Sequence, residues 1–193
     1  PALEKGQTSY KDYLVAEYRG STDQALAIYY EPPGCLRVLE PVDGNDPALP
    51  DAMRKAALLS QPALILPNPA KPARPTANIF GAEPAHGWCY YFQKAALARQ
   101  QGNWIRIAEL GQEAEKLGWK PVLPAELLPF IEAQARLGDW ARARQVSLQA
   151  AMQKPDPRAA LCMLWQNLLA ATPESEQRSA AWAEVQVKLA CGK

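Results

Sequence analysis

Trp88 to Trp119 reads WCYYFQKAALARQQGNWIRIAELGQEAEKLGW, and Leu127 to Pro155 reads LLPFIEAQARLGDWARARQVSLQAAMQKP. Laid over one another at an offset of 36 residues, Gly102-Asn103-Trp104 falls on Gly138-Asp139-Trp140, and Ala114 falls on Ala150. Each segment predicts a helix, a tight turn and a second helix. The glycine ends the first helix because it adopts the left-handed conformation without a Cβ penalty. Asn103 or Asp139 then caps the second helix by accepting from its free N–H groups. The tryptophan after the cap is large enough to fill the space between the two helices, and alanine at the crossing lets the backbones approach. A self-similarity of this period predicts stacked helical hairpins.

Downstream, Arg158 to Ala171 carries Leu161, Leu164, Trp165 and Leu168 at helical spacing. Thr172-Pro173-Glu174 reads as the start of a last helix, with Thr as cap, Pro in the first turn and an acid at the positive dipole end. That helix should run to about Ala190, with Trp182, Val185 and Leu189 inward. This third pair lacks the Gly-Asx-Trp signature, which suits a terminal unit that must present a solvated face.

Upstream the composition changes. Twelve of the 18 prolines lie at or before Pro84, four of them between Pro67 and Pro75, a density that favours extended chain over helix. The chain therefore divides into a small α/β unit (1–66), a Pro-rich linker (67–83) and a helical domain (84–193). In the first unit, Ser9 to Tyr18 reads as a short helix on the spacing of Tyr10, Tyr13, Leu14 and Tyr18. Ala25 to Tyr30 and Cys35 to Leu39 read as strands joined by a type II turn at Pro32-Pro33-Gly34. Asp46 or Pro47 should begin a helix running to about Ser60 and carrying Met53, Ala57 and Leu58. Ala63 to Leu66 should be a third strand. Strand, helix, strand in that order permits a parallel pair with a right-handed crossover. The expected fold class is α+β: a small α/β unit followed by an all-α array of three helical hairpins.

Several chemistries are excluded by what the chain lacks. With 21 basic and 20 acidic residues the formal charge is +1, without the basic excess of a dedicated nucleic-acid binder. His86 is the only histidine, so a metal site with two or more His ligands is impossible; it reads as a structural residue at a helix start. No CxxC pair, no GxGxxG after a strand, no P-loop and no GxSxG occurs. Glu113 with Glu115, and Glu174 with Glu176, read as solvated helix charges rather than hydrolytic pairs. Ser21 and Thr22 lie in a polar turn. The six tryptophans read as repeat cores rather than base-stacking platforms. No catalytic residue, cofactor or metal is expected. The four cysteines (Cys35, Cys89, Cys162 and Cys191) read as buried thiols behaving as small hydrophobes. In the alternative, Cys162 and Cys191 meet between neighbouring helices, and a disulfide would point to an extracytoplasmic domain. No apolar run approaches the roughly 18 residues of a membrane helix.

The Gly-Asx-Trp turns, together with Ala95, Ala114, Ala143, Ala150 and Pro155, resemble the tetratricopeptide repeat, a helix-turn-helix unit of about 34 residues. Ile107, Ile131 and Gln134 depart from its pattern. The resemblance implies a concave groove lined by the first helix of each pair: Phe92, Arg99 and Gln100 from one, Leu128, Glu132 and Arg136 from the next. There Arg99 and Arg136 could clamp a carboxylate, whose geometry a guanidinium fork matches. A solenoid of two or three hairpins needs a cover, so the N-terminal unit or the linker is the expected occupant.

A second resemblance is of overall sequence. YRGSTDQALAIYYEPPGCLRVLEP, Tyr18 to Pro41, with EPAHGWCYYFQKAALARQQGNW, Glu83 to Trp104, looks like the soluble C-terminal region of large bacterial multi-pass membrane proteins. Those are similar in layout to membrane glycosyltransferases that use lipid-linked sugars. The resemblance implies that any catalytic carboxylates lie in a membrane part outside this sequence, in keeping with a chain that opens on Pro1 rather than Met. The expectation is a non-catalytic interaction or structural domain at the extracytoplasmic face of a bacterial membrane. Its partner would be a protein, a peptide or the rest of its own polypeptide, with no nucleic acid, and with the membrane reached only through an upstream region. The alternatives are an accessory domain contacting acceptor or glycan for a membrane glycosyltransferase, and a stand-alone cytoplasmic peptide-binding scaffold.

Overall fold

The computed structural model describes residues 4–66 and 75–192, so most of the Pro-rich stretch from Pro67 lies outside the described residues. The chain is an α+β protein, with a small N-terminal unit ahead of an all-α region.

The N-terminal unit differs in detail from its sequence reading. Ser9 to Tyr18 is not a helix but most of a β-hairpin, β1 (Thr8–Tyr13) paired antiparallel with β2 (Ala16–Ser21). The tyrosine spacing that fits a helical face also fits a ribbon, where Tyr13 and Tyr18 share one side and Tyr10 takes the other. The two expected central strands narrow to β3 (Ile28–Tyr29) and β4 (Arg37–Val38), which pair antiparallel. Their connection is far too short for a parallel crossover. It contains a cis Pro32–Pro33 bond and closes by a Gly34 N–H bond to the Glu31 carbonyl at 2.8 Å, so Gly34 stands at the end of the turn rather than inside it. Two prolines postpone the first helix: α1 spans only Asp51–Ala57, with Pro50 at its N-cap and the Asp46 side chain accepting from Ala48 N–H upstream. The expected strand at Ala63 to Leu66 begins instead with a 3₁₀ turn, Pro62–Leu64. A one-turn helix, α2 (Ala77–Phe80), follows.

The helical region runs as three pairs: α3 (Trp88–Gln100) with α4 (Trp104–Lys116), α5 (Leu128–Arg136) with α6 (Trp140–Ala150), and α7 (Arg158–Ala171) with α8 (Glu176–Leu189). The two Gly-Asx-Trp turns have matching geometry. Gly102 and Gly138 take φ of +64° and +87°. The next N–H returns to the preceding helix at 2.9 Å in both, Asn103 to the Ala98 carbonyl and Asp139 to the Gln134 carbonyl. Asn103 and Asp139 side chains then accept from the N–H groups of Arg106 and Arg142. The third turn departs from its expected cap: Thr172 donates its hydroxyl to the Leu168 carbonyl, and Ser175 caps α8.

Two hydrophobic clusters fill the array. One joins Trp88, Phe92, Ala95, Ile107 and Leu110 to Phe130 of the next pair. The other joins Ile131 and Trp140 to Leu161, Trp165, Leu168 and Val185. The buried Trp165 indole donates to Ser147 Oγ at 2.9 Å, and Ser147 passes the bond on to the Ala143 carbonyl. None of the cysteines is a free thiol: Cys35 bonds to Cys89, and Cys162 to Cys191. The second bridge realises the alternative weighed from sequence. The first joins residues 54 apart and ties the N-terminal unit to α3.

Beside that bridge lies a buried carboxylate. Glu126 accepts from Cys35 N–H and from the Trp88 indole N–H, both at 2.7 Å, and from Val122 N–H at 2.9 Å. Three separate segments thus end on one side chain. Glu126→Ala should cost about 3 kcal/mol or more, because each stranded donor loses roughly 1–3 kcal/mol. Glu126→Gln, which keeps one acceptor oxygen, should cost less. Urea unfolding of both variants checks that order, and midpoints equal to that of the parent would refute it.

Candidate binding cleft and a groove filled from within

The residues assigned to the groove from sequence do come together. Phe92 is buried, Leu128, Arg99, Gln100 and Arg136 are half-buried, and Glu132 is buried. Arg99 and Arg136 converge on one carboxylate, and it is the protein's own. Glu132 accepts from Arg99 Nε at 2.7 Å and from Arg136 Nε at 3.1 Å, one oxygen each. The Arg136 guanidinium also lies over the Trp104 ring, 4.6 Å from its centre. Arg99 turns its second edge to Glu40 of the N-terminal unit at 3.2 Å. Gln100 lies beside that same carboxylate. A space of about 90 Å³ remains between Glu40, Asp43, Arg99, Glu132, Met163 and Asn167. The occupant of the groove is therefore the segment around Glu40.

Burial raises the Glu40 carboxyl above its ordinary 4.5. Arg99 pulls it down, while Asp43 and Glu132 push it further up. The Arg99 guanidinium is held above its ordinary range: its burial opposes this, but Glu132 and Glu40 outweigh the burial.

The opposite face is open. A cleft of about 620 Å³ lies between α4, α5 and α6, closed at one end by the Gly118–Pro121 connection. Its floor is aromatic. Trp88 is fixed by Glu126, and Phe130 fits under α4 because Gly111 has no side chain; a Cβ there would stand 2.9 Å from the Phe130 ring. Trp119 is 43% exposed at the rim. Arg142 of α6 reaches across to Glu115 of α4 at 3.2 Å. Gln112, Gln134, Gln149 and Gln153 add four carboxamides, each able to donate and accept. The sequence carried a signal for this face that the groove reading passed over: Arg142, Val146, Gln149 and Gln153 recur at helical spacing.

The other residues considered for chemistry are placed apart. His86 is half-exposed, stacks on Tyr90 with ring centres 3.7 Å apart, and contacts Glu83 at 2.8 Å. Glu113 pairs with Arg106, and Glu174 lies 3.6 Å from Arg178. Among the described residues no group of three His, Cys, Asp or Glu side chains could hold a metal ion. Comparison with protein-family models, with curated proteins and with solved structures found no significant match to this chain.

A carboxyl that holds its proton more tightly in the folded than in the unfolded chain contributes stability below the unfolded value. That contribution is lost as pH rises through the folded value. The parent should thus lose stability relative to Glu40→Gln as pH rises from about 4.5, by no more than about 1.4 kcal/mol per pH unit. Urea titrations from about pH 4 to 7 check this; the opposite trend would show attraction to Arg99 outweighing burial.

Proposed function

We propose that this chain is a non-catalytic interaction domain that recognises a protein or peptide segment in the cleft between α4 and α6. One contrast carries the reading: the groove on α3 and α5 is already occupied by Glu40, whereas no described residue fills the cleft on the other face. An extended peptide presents alternating N–H and C=O groups. Carboxamides, which offer both a donor and an acceptor, can meet them without regard to sequence. Trp119 and the aromatic floor add apolar contact, the usual composition of a recognition pocket.

The two disulfides support an oxidising compartment, and so the extracytoplasmic placement at a bacterial membrane. No described helix is long and apolar enough to cross a membrane. The paired helices with Gly-Asx-Trp turns support the tetratricopeptide-like reading. A second reading is favoured by one observation, the exposed Trp119 ring sharing a cleft with Arg142. A sugar ring can stack on such an indole while its hydroxyls bond to the carboxamides, as in an accessory domain that contacts glycan for a membrane glycosyltransferase.

A peptide library and a panel of soluble oligosaccharides, titrated against the chain, separate the two. Peptide binding should fall at least about ten-fold (1.4 kcal/mol) in Trp119→Ala and in Arg142→Ala, and stay unchanged in Lys55→Ala, which lies on α1 and does not line the cleft. Oligosaccharide binding with the same variant profile would favour the glycan reading. Binding of neither class, or binding indifferent to both cleft variants, would overturn the assignment of the cleft.

A further inference from the structure

Donors and acceptors are unequally divided in the cleft between α4 and α6. Both of its carboxylates are engaged: Glu115 accepts from Arg142 Nη2 at 3.2 Å, and Asp139 accepts from the Arg142 backbone N–H at 2.9 Å. Donors are in surplus. Among the described residues, the Lys120 ammonium, the Trp119 indole N–H and the carboxamides of Gln112, Gln134, Gln149 and Gln153 have no hydrogen-bond or ion-pair partner. Arg142 commits only one guanidinium nitrogen to Glu115. Charge is uneven too, since Lys120 is the cation left over once Arg142 has met Glu115.

Peptide backbones answer such a surface differently. An added β-strand needs a sheet edge, which walls made of helices do not offer. An amphipathic helix needs an apolar trough, and here Trp88 and Phe130 on the floor are only 8% and 7% exposed. A helix also keeps its carbonyls bonded internally, so it would cover the cleft's donors without replacing their water. A polyproline helix has no internal hydrogen bonds, so its carbonyls are free to accept. Its prolines carry no N–H that would demand an acceptor. The exposed Trp119 ring at the rim gives a proline ring a flat apolar partner. Spacing agrees as well. Arg142 and Gln149 stand seven residues apart on α6, about 10 Å along its axis, and one three-residue turn of polyproline rises about 9 Å. The unmatched Lys120 at the closed end complements an acidic residue beside the prolines.

We propose that the cleft selects proline-rich segments in the polyproline conformation, with an acidic side chain set against Lys120. This rests on the cleft being a peptide site and names the class of peptide. Calorimetric titration with three nine-residue peptides, blocked at both ends, tests it. One has eight prolines around a central glutamate, the second has alanine for every proline, and the third has lysine for the glutamate. The proline–glutamate peptide should bind at least about ten-fold more tightly than the alanine peptide. It should bind several-fold more tightly than the lysine peptide, a gap that narrows in about half-molar salt. Trp119→Ala should weaken its binding at least about ten-fold, Gln134→Met about five-fold, and Lys55→Ala not at all. In the parent, the Trp119 indole N–H resonance, assigned by its loss in Trp119→Ala, should shift on binding, a readout that needs no variant to fold well. An alanine peptide that binds as tightly, with both peptides weakened by Trp119→Ala, would overturn the selection and leave the cleft a peptide site. Library peptides that bind in the cleft while the proline peptide does not would do the same. Binding of the proline peptide with no Trp119 shift would overturn its placement there, and binding of no peptide at all would overturn both readings.

Discussion

The structure depends on the hydrogen bonds that surround Glu126. A carboxylate taken out of water is costly unless donors replace its hydration. Here the donors come from the backbone of Cys35, the indole of Trp88 and the backbone of the loop before α5. Satisfying that one charge therefore fixes three otherwise independent segments. The N-terminal unit is held where Cys35 can bridge to Cys89. Trp88 is held with its ring turned to the cleft. Gly34, beside Cys35, comes so close to Leu123 that a Cβ there would meet the leucine side chain at 2.5 Å. With only a small core of its own among the described residues, Leu39, Leu49 and Ala57 with Ala27, Tyr29 and Met53 against them, the N-terminal unit owes its position to these ties.

The two faces of the helical array differ because one arginine-lined groove has found an internal anion. Glu132 receives a guanidinium on each oxygen, and Glu40 adds a second carboxylate to Arg99. Buried ion clusters of this kind contribute little net stability, because desolvation offsets attraction, but removing one member leaves its partners unpaired. Their effect is to set which segment lies in the groove. A covalently attached occupant has a high effective concentration, so an external ligand competes poorly there. Among the described residues the α4–α6 face has no such occupant, and its Arg142–Glu115 pair is exposed enough to exchange partners.

The helical half was legible because its signals are local. A left-handed glycine and an Asx cap specify a turn within a few residues, and both turns took that form. That Arg99, Glu132 and Arg136 share a groove came from what the tetratricopeptide resemblance implies for the first helix of each pair. The identity of the second carboxylate could not be read in that way, because Glu40 reaches Arg99 only through the tertiary path of the N-terminal unit. The same holds for Cys35–Cys89, which joins two units, whereas Cys162 and Cys191 lie close to adjoining helices. The N-terminal half was read wrongly where local signals were ambiguous. Four apolar or aromatic residues spaced through Tyr10 to Tyr18 fit a helical face and a ribbon equally well, and Pro62 starts a tight turn as readily as it precedes a strand.

The ribbon shows how exposed apolar surface can be directed. A two-stranded sheet has two unpaired edges, each a template for another strand, and such edges are commonly protected by charge. Lys11 and Asp12 on β1, and Glu17 and Arg19 on β2, supply charge along both edges. At the tip there is none: Tyr13-Leu14-Val15-Ala16 is uncharged throughout. Edge pairing would bury those charges against a neighbouring strand, whereas contact through the tip leaves them in water. The charges along the ribbon therefore disfavour its lateral association.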